Sequence, residues 1–111
     1  MTLKLSNKEQ LALRKFKASL EKRLGGNLRE VRIFGSRARG DARKSSDIDV
    51  LIITATGDWH VSDVIYDIAT DILLEDGAFI SPKVISEKNY KRLSKLRGPF
   101  IKNVAREGIT I

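Results

Sequence analysis

The chain has no cysteine among its 111 residues. Disulfides, thiolate metal centres and a cysteine nucleophile are therefore excluded. Histidine is nearly as scarce. His60 stands alone, with no second imidazole to share a metal, and no nucleophile-elbow motif accompanies it, which argues against a Ser–His–Asp hydrolase. Proline occurs twice, and there is no proline-rich linker, internal repeat or low-complexity tract. No apolar run approaches the ~20 residues that a membrane helix needs. The opening Met-Thr-Leu-Lys-Leu-Ser lacks the apolar core of a signal peptide, so a cytoplasmic location with no membrane partner is expected. Between Asp58 and Asp76 there are six acids and neither lysine nor arginine.

Basic residues, in contrast, are plentiful. Net charge is +7, and it is concentrated in Lys8 to Arg23 and in Lys83 to Arg106. Such a balance favours polyanionic partners: nucleotides, nucleic acids or acidic protein surfaces. The length suits one domain over residues 1–111 and leaves little room for a second, substrate-holding one.

The apolar periodicity predicts alternating helices and strands. Residues 7–24 form a helix, with Ser6 and Glu9 as a capping box, Gly25-Gly26 as the stop, and Leu13, Phe16, Leu20 and Leu24 on one face. Residues 29–34 read as a strand and 36–44 as a turn or short helix. Residues 48–54 are apolar on both faces, as in a central strand. A second helix spans 62–75, with Val64, Ile65, Ile68, Ile72 and Leu73 inward and Asp76-Gly77 at its end. A third strand at 78–85 contains Pro82, which lacks an N–H and so suits an edge. Ser86 caps a helix with Tyr90, Leu93 and Leu96 on its stripe. Pro99 opens a last short helix burying Phe100, Ile101 and Val104, and Ile109-Thr110-Ile111 ends the chain as a short strand. This is an α/β layer fold.

One stretch carries chemistry. Residues 34–53 read Phe-Gly-Ser-Arg-Ala-Arg-Gly-Asp-Ala-Arg-Lys-Ser-Ser-Asp-Ile-Asp-Val-Leu-Ile-Ile. Gly35 follows a strand directly, where glycine permits a sharp turn and close approach of a phosphate. Ser36 offers a hydroxyl and a backbone N–H to an anion. Arg37, Arg39 and Arg43 can pair with phosphate oxygens. Asp47 and Asp49, two apart on a strand, present carboxylates to one side. Such carboxylates are hard oxygen ligands for Mg²⁺, which usually takes one or two of them and completes its shell with phosphate and water.

Gly35-Ser36, a ten-residue spacer and Asp47-Ile48-Asp49 resemble the minimal nucleotidyltransferases of the DNA polymerase beta superfamily. The motif covers about a fifth of the chain, and the element order extends the resemblance to about residue 85. It implies a polymerase-beta-like fold, a small mixed sheet of three to four strands flanked by helices. It implies Mg-dependent transfer of a nucleoside monophosphate, AMP from ATP, with Asp47 and Asp49 as catalytic metal ligands. Gly35, Ser36, Arg37 and Arg39 would hold the triphosphate. Several small members resemble the antitoxins of toxin–antitoxin pairs, whose partner is a HEPN-type toxin and whose acceptor is a toxin tyrosine. The family's third carboxylate lies on the strand after the second helix. Here that strand reads Gly77-Ala78-Phe79-Ile80-Ser81-Pro82-Lys83-Val84-Ile85, with Ser81 or Lys83 in its place. Nucleotide binding without efficient turnover is therefore a rival reading, as is a partner-covering module. A basic nucleic-acid-binding protein is a third.

Three further features stand out. Asp63, Asp67, Asp71 and Glu75 are spaced by four along the second helix, where like charges invite a basic partner. Trp59, beside His60 in the loop after the second strand, is either a packing anchor or a surface for stacking a base. The apolar tail (Phe100, Ile101, Ile109, Ile111) makes a homodimer plausible.

Overall fold

The computed structural model describes residues 5–35, 47–96, 98–99, 102 and 108–111. Helix α1 (Asn7–Leu24) begins with both halves of the capping box: Glu9 N–H donates to Ser6 Oγ at 3.1 Å, and Ser6 N–H donates to Glu9 Oε1 at 3.0 Å. Its stop is Gly25, whose N–H returns to the Glu21 carbonyl. Ala12, Leu13, Phe16 and Leu20 are buried. A single 3₁₀ turn, Gly25–Asn27, delivers the chain into strand β1 (Leu28–Phe34).

Strand β2 (Ile48–Thr54) runs antiparallel to β1, from Phe34 opposite Asp49 to Leu28 opposite Thr54. The Asn27 side chain pins the far end of this pair: Thr56 N–H donates to its Oδ1 at 2.9 Å. Helix α2 (Trp59–Asp76) returns the chain, and strand β3 (Ile80–Ser86) lies parallel to β2. Helix α3 (Glu87–Leu96) follows, with Asn89 N–H donating to Ser86 Oγ at 3.2 Å. Strand β4 (Ile109–Thr110) pairs antiparallel with β1, completing a mixed sheet of order β3-β2-β1-β4.

Residue alternation divides the sheet's two faces. Val31, Ile33, Ile48, Val50 and Ile52 face α1 and α2 in the main core. Leu51 and Ile53 face the other way, where Phe34, Ile85 and Tyr90 of α3 cover them. β2 is apolar on both faces because it is central and covered on both. β3 is an edge strand, which is where Pro82 is tolerated.

The elements depart from the sequence expectation in three places. α2 starts three residues early, because Asp58 caps it by accepting the Val61 N–H at 3.0 Å. Trp59 and His60 are thus its first turn, stacked on one another with centroids 4.4 Å apart, and not a loop. Leu73 is 37% exposed, and Ala69 takes the expected place in the core. No residue of α3 is fully buried: Tyr90 packs, while Leu93 and Leu96 face outward. The predicted helix or turn at 36–44, and Phe100, Ile101 and Val104 of the last predicted helix, lie outside the described residues.

Candidate functional site

β1 ends at Phe34, and the next residue turns sharply. Gly35 has φ +75°, in the left-handed region that strains an L side chain. A Cβ built there would lie 2.5 Å from Asp49 Oδ2, 3.4 Å from its Cγ and 3.5 Å from its Cβ. The turn therefore rests directly on the Asp49 carboxylate, and only a residue without a side chain leaves that carboxylate where it is. The antiparallel register, Phe34 opposite Asp49, produces this contact.

Asp49 is half-buried on the α3 side of the sheet, in line with Leu51 and Ile53. Asp47 is exposed and stands one residue before β2, not within it. The β2–β3 ladder nevertheless reaches this end, since Ile48 N–H donates to the Phe79 carbonyl at 2.9 Å. The structure thus brings Gly35, Asp47 and Asp49 to one end of the β1–β2 pair. Ser36, Arg37, Arg39 and Arg43 lie outside the described residues.

The parallel register places Ser81 beside Asp49 and Lys83 beside Leu51. Alternation puts both on the Asp49 face. A hydroxyl therefore sits where the neighbouring strand comes closest to the carboxylate, and a cation sits one step further. Among the described residues, no cluster of three or more carboxylate, histidine or cysteine groups is arranged to hold a metal. Two carboxylates of differing exposure beside a glycine turn that a Cβ would fill still suit a hard cation that keeps several non-protein ligands, as Mg²⁺ does.

Arg32 shares this sheet face, two residues before Phe34, and the sequence reading did not single it out. Its Nε lies 3.1 Å from Glu30 Oε1, and it is opposite Leu51. The signal was available in strand parity, since Arg32 and Phe34 must point the same way. At the β4 edge of the sheet a cleft of about 740 Å³ opens, lined by Lys17 and Glu21 of α1 and by Glu30, Ile53, Tyr90 and Thr110 among others. It starts four residues along β2 from Asp49, roughly 13 Å away. Trp59 lies beyond the opposite end of β2 from Asp49, so the sequence's candidate for base stacking is remote from the carboxylates.

A mixed four-stranded sheet backed by helices, with a glycine turn set on a strand carboxylate, is a frame that several chemistries could use, and comparison with known proteins gives the class. Residues 13–104 match the family model described as nucleotidyltransferase domain, and the chain belongs to that family. It is 36% identical over 100 residues to a Methanocaldococcus jannaschii protein named "Putative protein adenylyltransferase", covering 90% of this chain and 94% of that one. Among solved structures, it resembles a "putative minimal nucleotidyltransferase" with TM-score 0.57 and 26% identity, over 97% of this chain and 99% of the other. A structure described as a toxin–antitoxin with AMP-PNP shares the fold with TM-score 0.57 at 17% identity, over 95% of this chain and 72% of that one. The activity class of the family is nucleotidyl transfer. No described helix is long and apolar enough to cross a membrane.

Proposed function

We propose that the chain, as a single domain, moves AMP from ATP onto a hydroxyl of a partner protein, with Asp47 and Asp49 as ligands of a magnesium ion. The observation that carries this reading is the contact between Gly35 and Asp49, since it makes the glycine turn and the carboxylate one structure. The adenylyltransferase name of the archaeal relative supports AMP and a protein acceptor. The toxin–antitoxin with the same fold fits a role in such a pair, and a HEPN-type toxin, which the motif's resemblance implies, is the target to test.

The reaction forms a bond from the acceptor oxygen to the α-phosphorus and breaks the bond from that phosphorus to the pyrophosphate bridge oxygen. The acceptor proton is released, and pyrophosphate leaves. Bound magnesium would offset charge on the phosphates. Glycine at position 35 leaves the Asp49 carboxylate in place beside the turn, where it would hold the metal that the triphosphate also binds. Ser36, Arg37 and Arg39 place and neutralise its oxygens. Asp49, half-buried and fixed by the sheet, holds its position better than Asp47, which precedes the strand.

A second reading rests on Ser81. With a hydroxyl beside Asp49 in place of a carboxylate, the site binds nucleotide and turns over slowly. Losing a positioned base costs roughly 10²–10⁴-fold in rate. Calorimetric titration of MgATP into wild type and into Asp47→Ala/Asp49→Ala tests binding, with heat expected only from wild type and only with metal. Transfer from α-labelled ATP to the partner then separates the two readings. Efficient labelling by wild type supports the enzyme. Weak labelling that rises tenfold or more in Ser81→Asp supports the impaired site. Equal binding by both proteins removes the carboxylates from either account.

A further inference from the structure

Among the described residues, two helix faces are amphipathic, exposed and opposite in charge. α2 carries Asp63, Asp67, Asp71 and Glu75 and has no lysine or arginine along its length. Lys15 of α1 takes up part of this charge, at 3.4 Å from Glu75 and 2.9 Å from Asp76. Towards the N-terminus the strip continues through Asp63 and Asp67, both exposed. Apolar groups are interleaved there: Tyr66 is 51% exposed, Leu74 77% and the neighbouring Phe79 53%. At helical spacing Asp63, Tyr66, Thr70 and Leu74 share one stripe. Beside it a groove of about 230 Å³ runs between α2 and the edge strand β3, lined by Tyr66, Leu73, Phe79 and Pro82. Exposed apolar groups brought together this way mark an interaction surface.

α3 is the complement. It carries Lys88, Lys91, Arg92 and Lys95 against a single acid, Glu87, and buries no residue completely. Leu96 is 70% exposed and Leu93 38%. Lys88, Arg92 and Leu96 are four apart and so lie on one stripe. The two helices pack on opposite faces of the sheet, and only their first turns come near one another, at a pocket lined by Trp59, Ser62 and Asn89.

We propose that the α2 face is a docking surface for a second copy of this chain, whose α3 supplies the basic, leucine-bearing helix. The acids of one copy face Lys88 and Arg92 of the next, and Leu96 enters among Tyr66, Leu74 and Phe79. A net charge of +7 opposes random association of copies, so contact depends on this local pairing. One helix against one helix buries less than a standard interface, which makes the association weak and salt-sensitive. It does not involve Asp47 or Asp49, and so stands or falls independently of nucleotide chemistry.

A charge exchange tests it. Sedimentation equilibrium at low salt and high micromolar concentration should give wild type a mass above one chain, returning to one chain at high salt. Asp63→Lys/Asp67→Lys and Lys88→Glu/Arg92→Glu should each be folded by circular dichroism and each be monomeric, because each then carries two like-charged faces. Mixed one to one, the two variants should associate again. Leu74→Ser, which alters no charge, should weaken association severalfold. A wild type that stays one chain at low salt overturns the proposal. So does association that survives both reversals, or variants that remain monomeric when mixed.

Discussion

Gly35 and Asp49 show how two residues, each common alone, become informative through their contact. Replacing Gly35 by alanine meets two penalties. A left-handed L residue costs roughly 1–2 kcal/mol. The new Cβ also stands 2.5 Å from Asp49 Oδ2, an atom at the end of a side chain that can swing away. Stability should therefore fall by at least about 1–2 kcal/mol, and the carboxylate leaves its place. Thermal unfolding of Gly35→Ala should show a folded protein with a lowered midpoint, and calorimetry should show MgATP affinity reduced far beyond that. An alanine variant that keeps wild-type affinity would detach the turn from the site. The sequence made Gly35 and Asp49 legible through strand–glycine order and parity. It did not reveal their contact, because that depends on the cross-strand register, Phe34 opposite Asp49. The same holds for Ser81, named from sequence together with Lys83 and separated from it only by the parallel register.

At the level of elements, the best-read segments were those with local punctuation. α1 begins and ends where its capping box and glycines require, and β2 spans the predicted residues. α2 starts earlier than its apolar periodicity indicates because Asp58 accepting from Val61 outweighs the modest helix propensity of Trp59 and His60. Periodicity also placed Leu73 and the α3 leucines inward, since it reports an apolar stripe without saying what covers it. The contact between α1 and α2 has a measurable signature. Lys15 is held above the ordinary lysine pKa, first by its hydrogen bond to Asp76 and then, against a desolvation cost, by Glu75. A cation whose folded pKa is raised stabilises the fold fully below its unfolded pKa, and the contribution fades as pH rises through the folded one. The stability difference between wild type and Lys15→Met should therefore be flat from about pH 6, where Glu75 and Asp76 are ionised, to about pH 10, and close above it. Denaturant unfolding across that range measures it, and a difference that widens with pH would show that the ion pair is not the tie.

For the molecule as a whole, shape and charge decide between kinds of partner. The extents are 35 × 30 × 17 Å, so the body is a thin slab. A slab offers a broad surface to a macromolecular acceptor that brings its own hydroxyl, whereas a small molecule needs enclosure. Charge offers nucleic acid as the rival partner, with an excess of +7, but α2 adds an acidic strip without lysine or arginine. A backbone contacted by a few scattered cations binds with a salt slope near the number of contacts and loses affinity steeply towards physiological salt. MgATP held at the Gly35–Asp49 turn is a local, multidentate contact and should lose far less. Fluorescence anisotropy with labelled duplex and single strands, run beside MgATP calorimetry over the same salt series, compares the two. The expected outcome is nucleic-acid binding that vanishes by about 0.15 M salt and is indifferent to Asp47→Ala/Asp49→Ala, with nucleotide binding that persists and requires both carboxylates. Tight nucleic-acid binding retained at that salt would make the basic surfaces of α1 and α3 the functional ones, and the carboxylate turn secondary to them.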